Sequence, residues 1–358
     1  MKATLDRDIN QQVMEQADEI ARRFAAAQPF RHVCIDGFFS TDLAARLAES
    51  FPEFDEQLSI NENGEVGGKC VHEKVRELGP DWRELDDLVQ SDDFRMLISR
   101  ITGVPDLEYD PNYFGGGTHE NRHGQSLDAH VDFNLHPITR QHRRLNLIVY
   151  LTPEWRDEWG GSIQLHRDPY LPPSQDEIIT VTPAFNRAVI FETNEYSWHG
   201  FPVIALPEDK RHLSRKSFAL YFYTDTRPED ELGPAHSTIY VEEHLPEDMH
   251  AGMVLSAERL QHIRNLVTRR DQHLRRLYGN IMQLNTELNH AREQQGRKPP
   301  PVPEEDSESD DLQGLQEMLG RREAEVRRLA ARIEELENST SWKVTRPMRS
   351  LKRLVAGR

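Results

Sequence analysis

LNLIVYLTPEWRDEWGGSIQLH, residues 145–166, holds two short apolar runs, Leu145–Leu151 and Ser162–His166, parted by Pro153 and the pair Gly160-Gly161. Each run is too short for an ordinary helix and is bounded by turn residues, so each reads as a strand. The same pattern extends from about 107 to 225, through Ile178–Val181, Ala188–Glu192 and Ser217–Tyr223. Many short strands with no helical period between them suggest a sandwich or jelly roll.

Upstream the period changes. Ile9, Val13, Ala17, Ile20 and Phe24 recur at three and four, which predicts a helix over 5–27 that Pro29 ends. Arg31–Phe39 reads as a strand, and Ser40 can cap a helix running to Ser50. A further helix is expected over Asp81–Ile101, stopped by Gly103 and Pro105. The class is therefore α+β, with flanking N-terminal helices in a domain spanning 1–232. Residues 233–253 read as a connector.

Downstream, Leu260, Ile263, Val267, Arg270, Leu274, Leu277, Ile281, Leu284, Leu288 and Ala291 step by three and four, predicting a coiled coil over 254–294. Residues 295–311 are Pro-rich and acidic and read as a disordered linker. A second heptad run, 312–340, has Leu312, Leu315, Leu319, Arg322, Val326, Leu329, Ile333 and Leu336 in its core slots. The tail, 341–358, interleaves Trp342, Met348 and Leu351 with Lys343, Arg346, Arg349 and Lys352, which suits an anionic membrane surface.

The 358 residues carry a net charge of −17, which argues against non-specific nucleic-acid binding. Cys34 and Cys70 make no CxxC spacing and fit a reducing compartment. The N-terminus has no apolar signal core, and no stretch approaches the ~18 apolar residues of a membrane span. The expected location is cytoplasmic, at most peripheral at the inner face of the cell membrane.

One ordered set of residues points to chemistry. A non-haem iron(II) oxygenase needs two His and one carboxylate on one face, with open positions left over. His130 and Asp132, two apart on a strand, share a face. His199 follows the run Ala188–Glu192 and can return beside them. Arg215 and Ser217 share a face of the last strand; an Arg fork there suits a carboxylate, with Lys216 the competing cation. Tyr150 can add a phenol, and Asn146 and Ile148 share its face. Taken singly, each residue has an ordinary structural explanation; the ordered set is what carries the reading.

The phrases YFGGG at 113–117, HVDFN at 130–134, RRLN at 143–146, YLTP at 150–153, WGG at 159–161, FNR at 185–187, VIFET at 189–193, WHGFP at 198–202 and RKSFALYFYT at 215–224 resemble bacterial 2-oxoglutarate/iron(II) oxygenases of the prolyl-4-hydroxylase-like type. The piece at 31–54 also looks familial. The resemblance implies a double-stranded β-helix with iron ligands His130, Asp132 and His199. It implies that Arg215 binds the distal carboxylate of 2-oxoglutarate, helped by Tyr150. Its cofactors would be Fe(II), 2-oxoglutarate and O2, with ascorbate as a stimulant. Its reaction would be hydroxylation of an unactivated C–H bond as 2-oxoglutarate becomes succinate and carbon dioxide.

His119-Glu120-Asn121-Arg122-His123 matches the HExxH pattern of zinc peptidases. That chemistry needs a helix, and Gly115–Gly117 and Gly124 around it argue for a loop, here expected over the mouth of the site.

The substrate is not written in the motifs. NSTSWKVTRPMR at 338–349 resembles endings that follow coiled coils in bacterial glycosyltransferases and methyltransferases of surface-polysaccharide assembly. A polysaccharide or glycolipid precursor is one expected substrate, and a prolyl residue of a protein is the alternative. A non-catalytic coiled-coil scaffold of a glycan assembly complex is a reading of another class. The heptads imply self-association or a partner helix.

Overall fold

Strands that alternate inward and outward residues must close a core with a second layer. The computed structural model builds that layer from two facing antiparallel sheets, flanked by helices. It describes residues 2–59, 69–241, 245–246 and 248–294. The chain divides into two compact units, residues 1–277 and 278–358. The linker 295–311, the second heptad run and the basic tail lie outside the described residues.

The strands are β1 (His32–Ile35), β2 (Cys70–His72), β3 (Glu108–Tyr109), β4 (Gly117–Asn121), β5 (Leu127–Val131), β6 (His142–Tyr150), β7 (Ile163–His166), β8 (Ile178–Val181), β9 (Ala188–Glu192), β10 (Trp198–Phe201), β11 (Arg215–Thr224) and β12 (Ile239–Tyr240). The larger sheet runs β1-β9-β6-β11-β4-β2, with β3 also on β11; the smaller runs β12-β5-β10-β7-β8. The helices are α1 (Lys2–Asp8), α2 (Gln11–Glu15), α3 (Ala17–Ala26), α4 (Thr41–Glu49), α5 (Pro80–Val89), α6 (Asp92–Thr102) and α7 (Ala257–Gln294).

Alternation in β6 and β11 divides the molecule's two interiors. Leu145, Leu147, Val149, Phe218, Leu220 and Phe222 point to the helices and bury with Phe24, Phe38, Trp82 and Phe94. Full burial of such a side chain stabilises by about 1.5–3 kcal/mol. The intervening residues Asn146, Ile148, Tyr150, Ser217 and Tyr221 face the smaller sheet, so the apolar core behind them fixes the wall of a polar cleft.

Several boundaries differ from the sequence expectation. The helix over 5–27 is three short helices, because Ile9 leaves the helix to bridge Phe39 and Asn10 caps α2 with its side chain. The helix over 81–101 breaks where Ser91 caps α6. The stretch around His119 is not a loop over the site: it is β4, a buried strand between β11 and β2. Gly117 makes that pairing possible. It sits at φ +84°, and a Cβ there would land on the carbonyl oxygen of His72. The stretch read as a connector contributes β12, which extends the smaller sheet beside β5.

The helix expected from the first heptad run is present as α7. Leu260, Val267, Leu274, Ile281, Leu284 and Leu288 are exposed. The residues turned to the sheets are Leu266, which is buried, with Arg269, His273 and Arg276. No helix among the described residues is long and apolar enough to cross a membrane.

Candidate metal and cosubstrate site

The ligand candidates meet because two strands pair in one register. His199 on β10 lies directly opposite His130 on β5, and their rings are 4.3 Å apart between centroids. Asp132 follows β5. Its Oδ1 is 3.7 Å from His130 Nε2 and its Oδ2 is 3.5 Å from His199 Nε2. One donor atom from each of the three falls within 4.8 Å of the others.

Both imidazoles are held in the tautomer a metal requires. His130 Nδ1 is 2.9 Å from the Asp128 carbonyl oxygen, and His199 Nδ1 is 2.9 Å from that of Ser197. A carbonyl only accepts, so each Nδ1 carries the proton and each Nε2 offers a lone pair to the centre. Burial, then the neighbouring His199, pushes His130 down to about 3, and burial lowers His199 as well. Both rings are therefore neutral at physiological pH. Burial alone would raise Asp132, but Arg143, both histidines and Asn146 outweigh it and hold the carboxylate well below its usual range. Two neutral imidazoles and one anionic carboxylate, converging with lone pairs free, fit iron(II).

The supports of Asp132 were not singled out in the sequence. Asn146 Nδ2 donates to Asp132 Oδ2 at 2.8 Å, and Arg143 Nη2 lies 3.0 Å from the same oxygen. Arg143 in turn donates to Asn146 Oδ1 and lies over the ring of Tyr221, 3.6 Å from its centroid. Asn146 was legible as sharing a face with Tyr150. Arg143 was not, because strict alternation would turn Arg144 inward. The β6–β11 register slips between Phe222 and Tyr223, so Arg143 takes the inward place.

Across the cavity, Arg215 is buried; its Nε donates to the Gly161 carbonyl at 2.8 Å and its Nη2 to the Tyr150 hydroxyl at 3.1 Å. The guanidinium carbon lies 4.4 Å from the ring centroid of Phe201 and 4.9 Å from that of Tyr150. Ser217 pairs with Tyr150 in the sheet register, and its buried hydroxyl has no hydrogen-bond partner in the structure. An Arg, a phenol and an unsatisfied hydroxyl on one wall match a carboxylate ligand. Lys216 faces the opposite way, over the ring of Phe51. In the HExxH segment His119 enters the cavity, whereas His123 Nδ1 accepts from Leu206 N at 2.9 Å. The two histidines do not converge.

Residues 116–223 match the family model described as 2OG-Fe(II) oxygenase superfamily. The chain carries a 2OG-Fe(II) oxygenase domain. A prolyl 3-hydroxylase of Mus musculus is 26% identical over 255 residues, which cover 64% of this chain and 41% of that relative. The oxygenase thus spans about two-fifths of the length of that curated relative. Among solved structures, a prolyl hydroxylase from Trichoplax adhaerens in complex with a hypoxia-inducible-factor peptide is 14% identical, with a TM-score of 0.39, covering 60% of this chain and 93% of that one. A Streptomyces hygroscopicus protein with nickel and 2-oxoglutarate bound is 11% identical, with a TM-score of 0.38, covering 64% and 96%. The family that the domain matches is one of iron(II)- and 2-oxoglutarate-dependent oxygenases.

The strand that carries His130 is also braced by β12, at the edge of the smaller sheet, and by α7. Tyr240 of β12 lies opposite His130 in register, and the two rings stack at 5.1 Å. His273 of α7 also stacks on Tyr240, at 4.4 Å, with Arg276 over the same ring. Arg269, on the same helix face, pairs at 2.5 Å with Asp128, whose carbonyl holds His130. Tyr240→Ala is expected to weaken cobalt(II) binding about tenfold, as loss of an outer-shell support does, and Tyr240→Phe to leave it near wild type. Unchanged cobalt affinity in the Ala variant would show that the stack does not position His130.

Proposed function

We propose that the oxygenase hydroxylates a C–H bond of a prolyl residue in a peptide or protein, with His130, Asp132 and His199 holding iron(II) and Arg215 holding 2-oxoglutarate. The observation that carries the reading is the convergence of the two lone-pair-bearing Nε2 atoms and the Asp132 carboxylate in the cavity that also contains Arg215. Iron(II) with 2-oxoglutarate supplies the oxygen chemistry, in which the cosubstrate is split to succinate and carbon dioxide as the substrate is hydroxylated.

The chain's own residues do the rest. The Arg215 fork, with the Tyr150 and Ser217 hydroxyls, receives the distal carboxylate. Arg143 and Asn146 keep Asp132 ionised and aimed at the centre. Leu127, Ile148, Ile163 and Phe201 line the cavity with apolar surface that limits water. The prolyl assignment is supported by the 255-residue alignment with the mouse prolyl 3-hydroxylase. The surface-polysaccharide reading rests on 338–349 and the membrane reading on 341–358, both outside the described residues. The exposed stripe on α7 supports pairing with a second helix. A scaffold without turnover is disfavoured by a donor set that is complete and in the tautomers a metal needs.

The test is succinate release. Protein prepared without oxygen, given iron(II) and 2-oxoglutarate and then air, should form succinate even without substrate, and His199→Ala should not. Equal succinate from both proteins, or zinc bound in place of iron, would refute the reading.

A further inference from the structure

One cation in the catalytic cavity has no task in that reaction. Lys69 stands just before β2, the edge strand of the larger sheet, and lines the cavity together with the three ligand candidates and Arg215. Its Nζ is 3.5 Å from His119 Nε2. That nitrogen is also 3.1 Å from the Gly115 carbonyl oxygen, to which it can only donate. An Nε2–H cannot also accept from an ammonium, so the contact is steric proximity and not a bond. No carboxylate of the described residues lies within ion-pair distance of Nζ, and Glu73 Oε1 accepts from Gly115 N. Burial pulls Lys69 down to about 8, with Asp132 opposing and Arg143 and Arg215 adding to the fall. An ammonium held in this way, without an acceptor, is costly, and an anion arriving from outside would relieve the cost.

Charge balance says the anion is not the cosubstrate. Among the described residues Asp132 is the sole carboxylate lining the cavity, and Arg143 already neutralises it. Iron(II) and Arg215 bring three positive charges against the two negative charges of 2-oxoglutarate. The loaded site is therefore electropositive before Lys69 is counted. Position agrees with charge: Arg215, Tyr150 and Ser217 lie on β6 and β11, in the middle of the sheet, whereas Lys69 lies beside β2 at the sheet's edge, away from the wall assigned to the cosubstrate.

We propose that Lys69 is a specificity-determining residue that binds an anionic group of the primary substrate beside the carbon to be hydroxylated. The inference rests on the oxygenase reading above and deepens it. In a prolyl peptide the anion would be an Asp or Glu side chain near the target residue.

The test uses the full chain loaded with cobalt(II) and 2-oxoglutarate, titrated calorimetrically with acetate and with inorganic sulfate, which stand for a carboxylate and for a sulfate or phosphate ester. Cobalt absorption reports metal and cosubstrate binding separately. Wild type is expected to bind at least one of the two anions, Lys69→Gln to bind it about fivefold or more weakly, and Lys69→Arg to restore it. Cobalt and 2-oxoglutarate affinities should stay within about twofold of wild type, since neither uses Lys69 in this assignment. Acetate preferred over sulfate points to a peptide carboxylate, and the reverse to an ester. Anion binding that is absent from wild type, or equal in wild type and Lys69→Gln, overturns the proposal. So does a Gln variant that loses 2-oxoglutarate instead, for then Lys69 serves the cosubstrate. A wild-type protein that binds no cobalt or no 2-oxoglutarate fails at the earlier step and removes the cofactor-site reading itself.

Discussion

Asp132→Asn is expected to abolish iron(II) binding and succinate formation while leaving the fold intact, and Asp132→Ala to lose both binding and stability. The difference follows from what surrounds the carboxylate. Asp132 Oδ2 accepts from Asn146 and lies 3.0 Å from Arg143, which is fully buried. Asparagine keeps an oxygen for both donors but loses the charge that binds the metal. Both variants strip Arg143 of its counter-charge, but alanine also removes the oxygen that Arg143 and Asn146 face, so its loss approaches the about 3–5 kcal/mol seen when one partner of a buried pair is removed. A thermal melt should therefore separate the two variants, and a cobalt(II) titration should not. An Asn variant that binds cobalt as tightly as wild type would remove Asp132 from the ligand set. An Ala variant that melts with wild type would show that Arg143 finds other relief.

What the sequence displayed and what it hid have physical causes. The convergence of His130, Asp132 and His199 was readable because a strand with period two puts His130 and Asp132 on one face whatever the tertiary detail, and because each residue type is what an iron(II) centre demands. That Arg215 and not Lys216 turns to the cavity was readable from parity with Ser217, and the two lie on opposite sides of β11 for that reason. Arg143 was hidden because a local slip in β6–β11 register breaks parity, and a bulge leaves no mark in a periodic pattern. Lys69 and Tyr240 were hidden because both reach the site from the margins of the strand pattern, where no period predicts a direction.

Helix ends were misjudged for a related reason. Ser91 and Asn10 are good caps inside otherwise continuous apolar stripes, and side-chain capping there outcompeted continuation. The heptad run reads as a coiled-coil seam, and α7 meets the domain through Arg269, His273 and Arg276 while Leu260, Val267 and Leu274 are exposed. A heptad pattern identifies an apolar face without saying what covers it. Here the polar flank is the one that reaches the metal strand.

Arg215→Ala is expected to raise the dissociation constant for 2-oxoglutarate about a hundredfold, roughly 3 kcal/mol, with cobalt(II) affinity within about twofold of wild type. The guanidinium is already committed to Gly161 and Tyr150 through Nε and Nη2, so it arrives oriented and loses little freedom when a carboxylate docks. Lysine cannot reproduce that fork, and Arg215→Lys should recover only part of the affinity. Tyr150→Phe should cost less than Arg215→Ala, since it removes one donor and leaves the charge. Lys216→Ala is the decisive control. Its ammonium lies over Phe51 on the far side of β11, and the variant should bind 2-oxoglutarate as wild type does. If Lys216→Ala produced the hundredfold loss and Arg215→Ala did not, the cosubstrate would have to bind on the other face of the sheet, and the proposed cavity would lose its second substrate. If both variants bound normally, Lys69 would become the leading candidate for the carboxylate anchor, and the charge argument that assigns it to the primary substrate would fail with the same experiment.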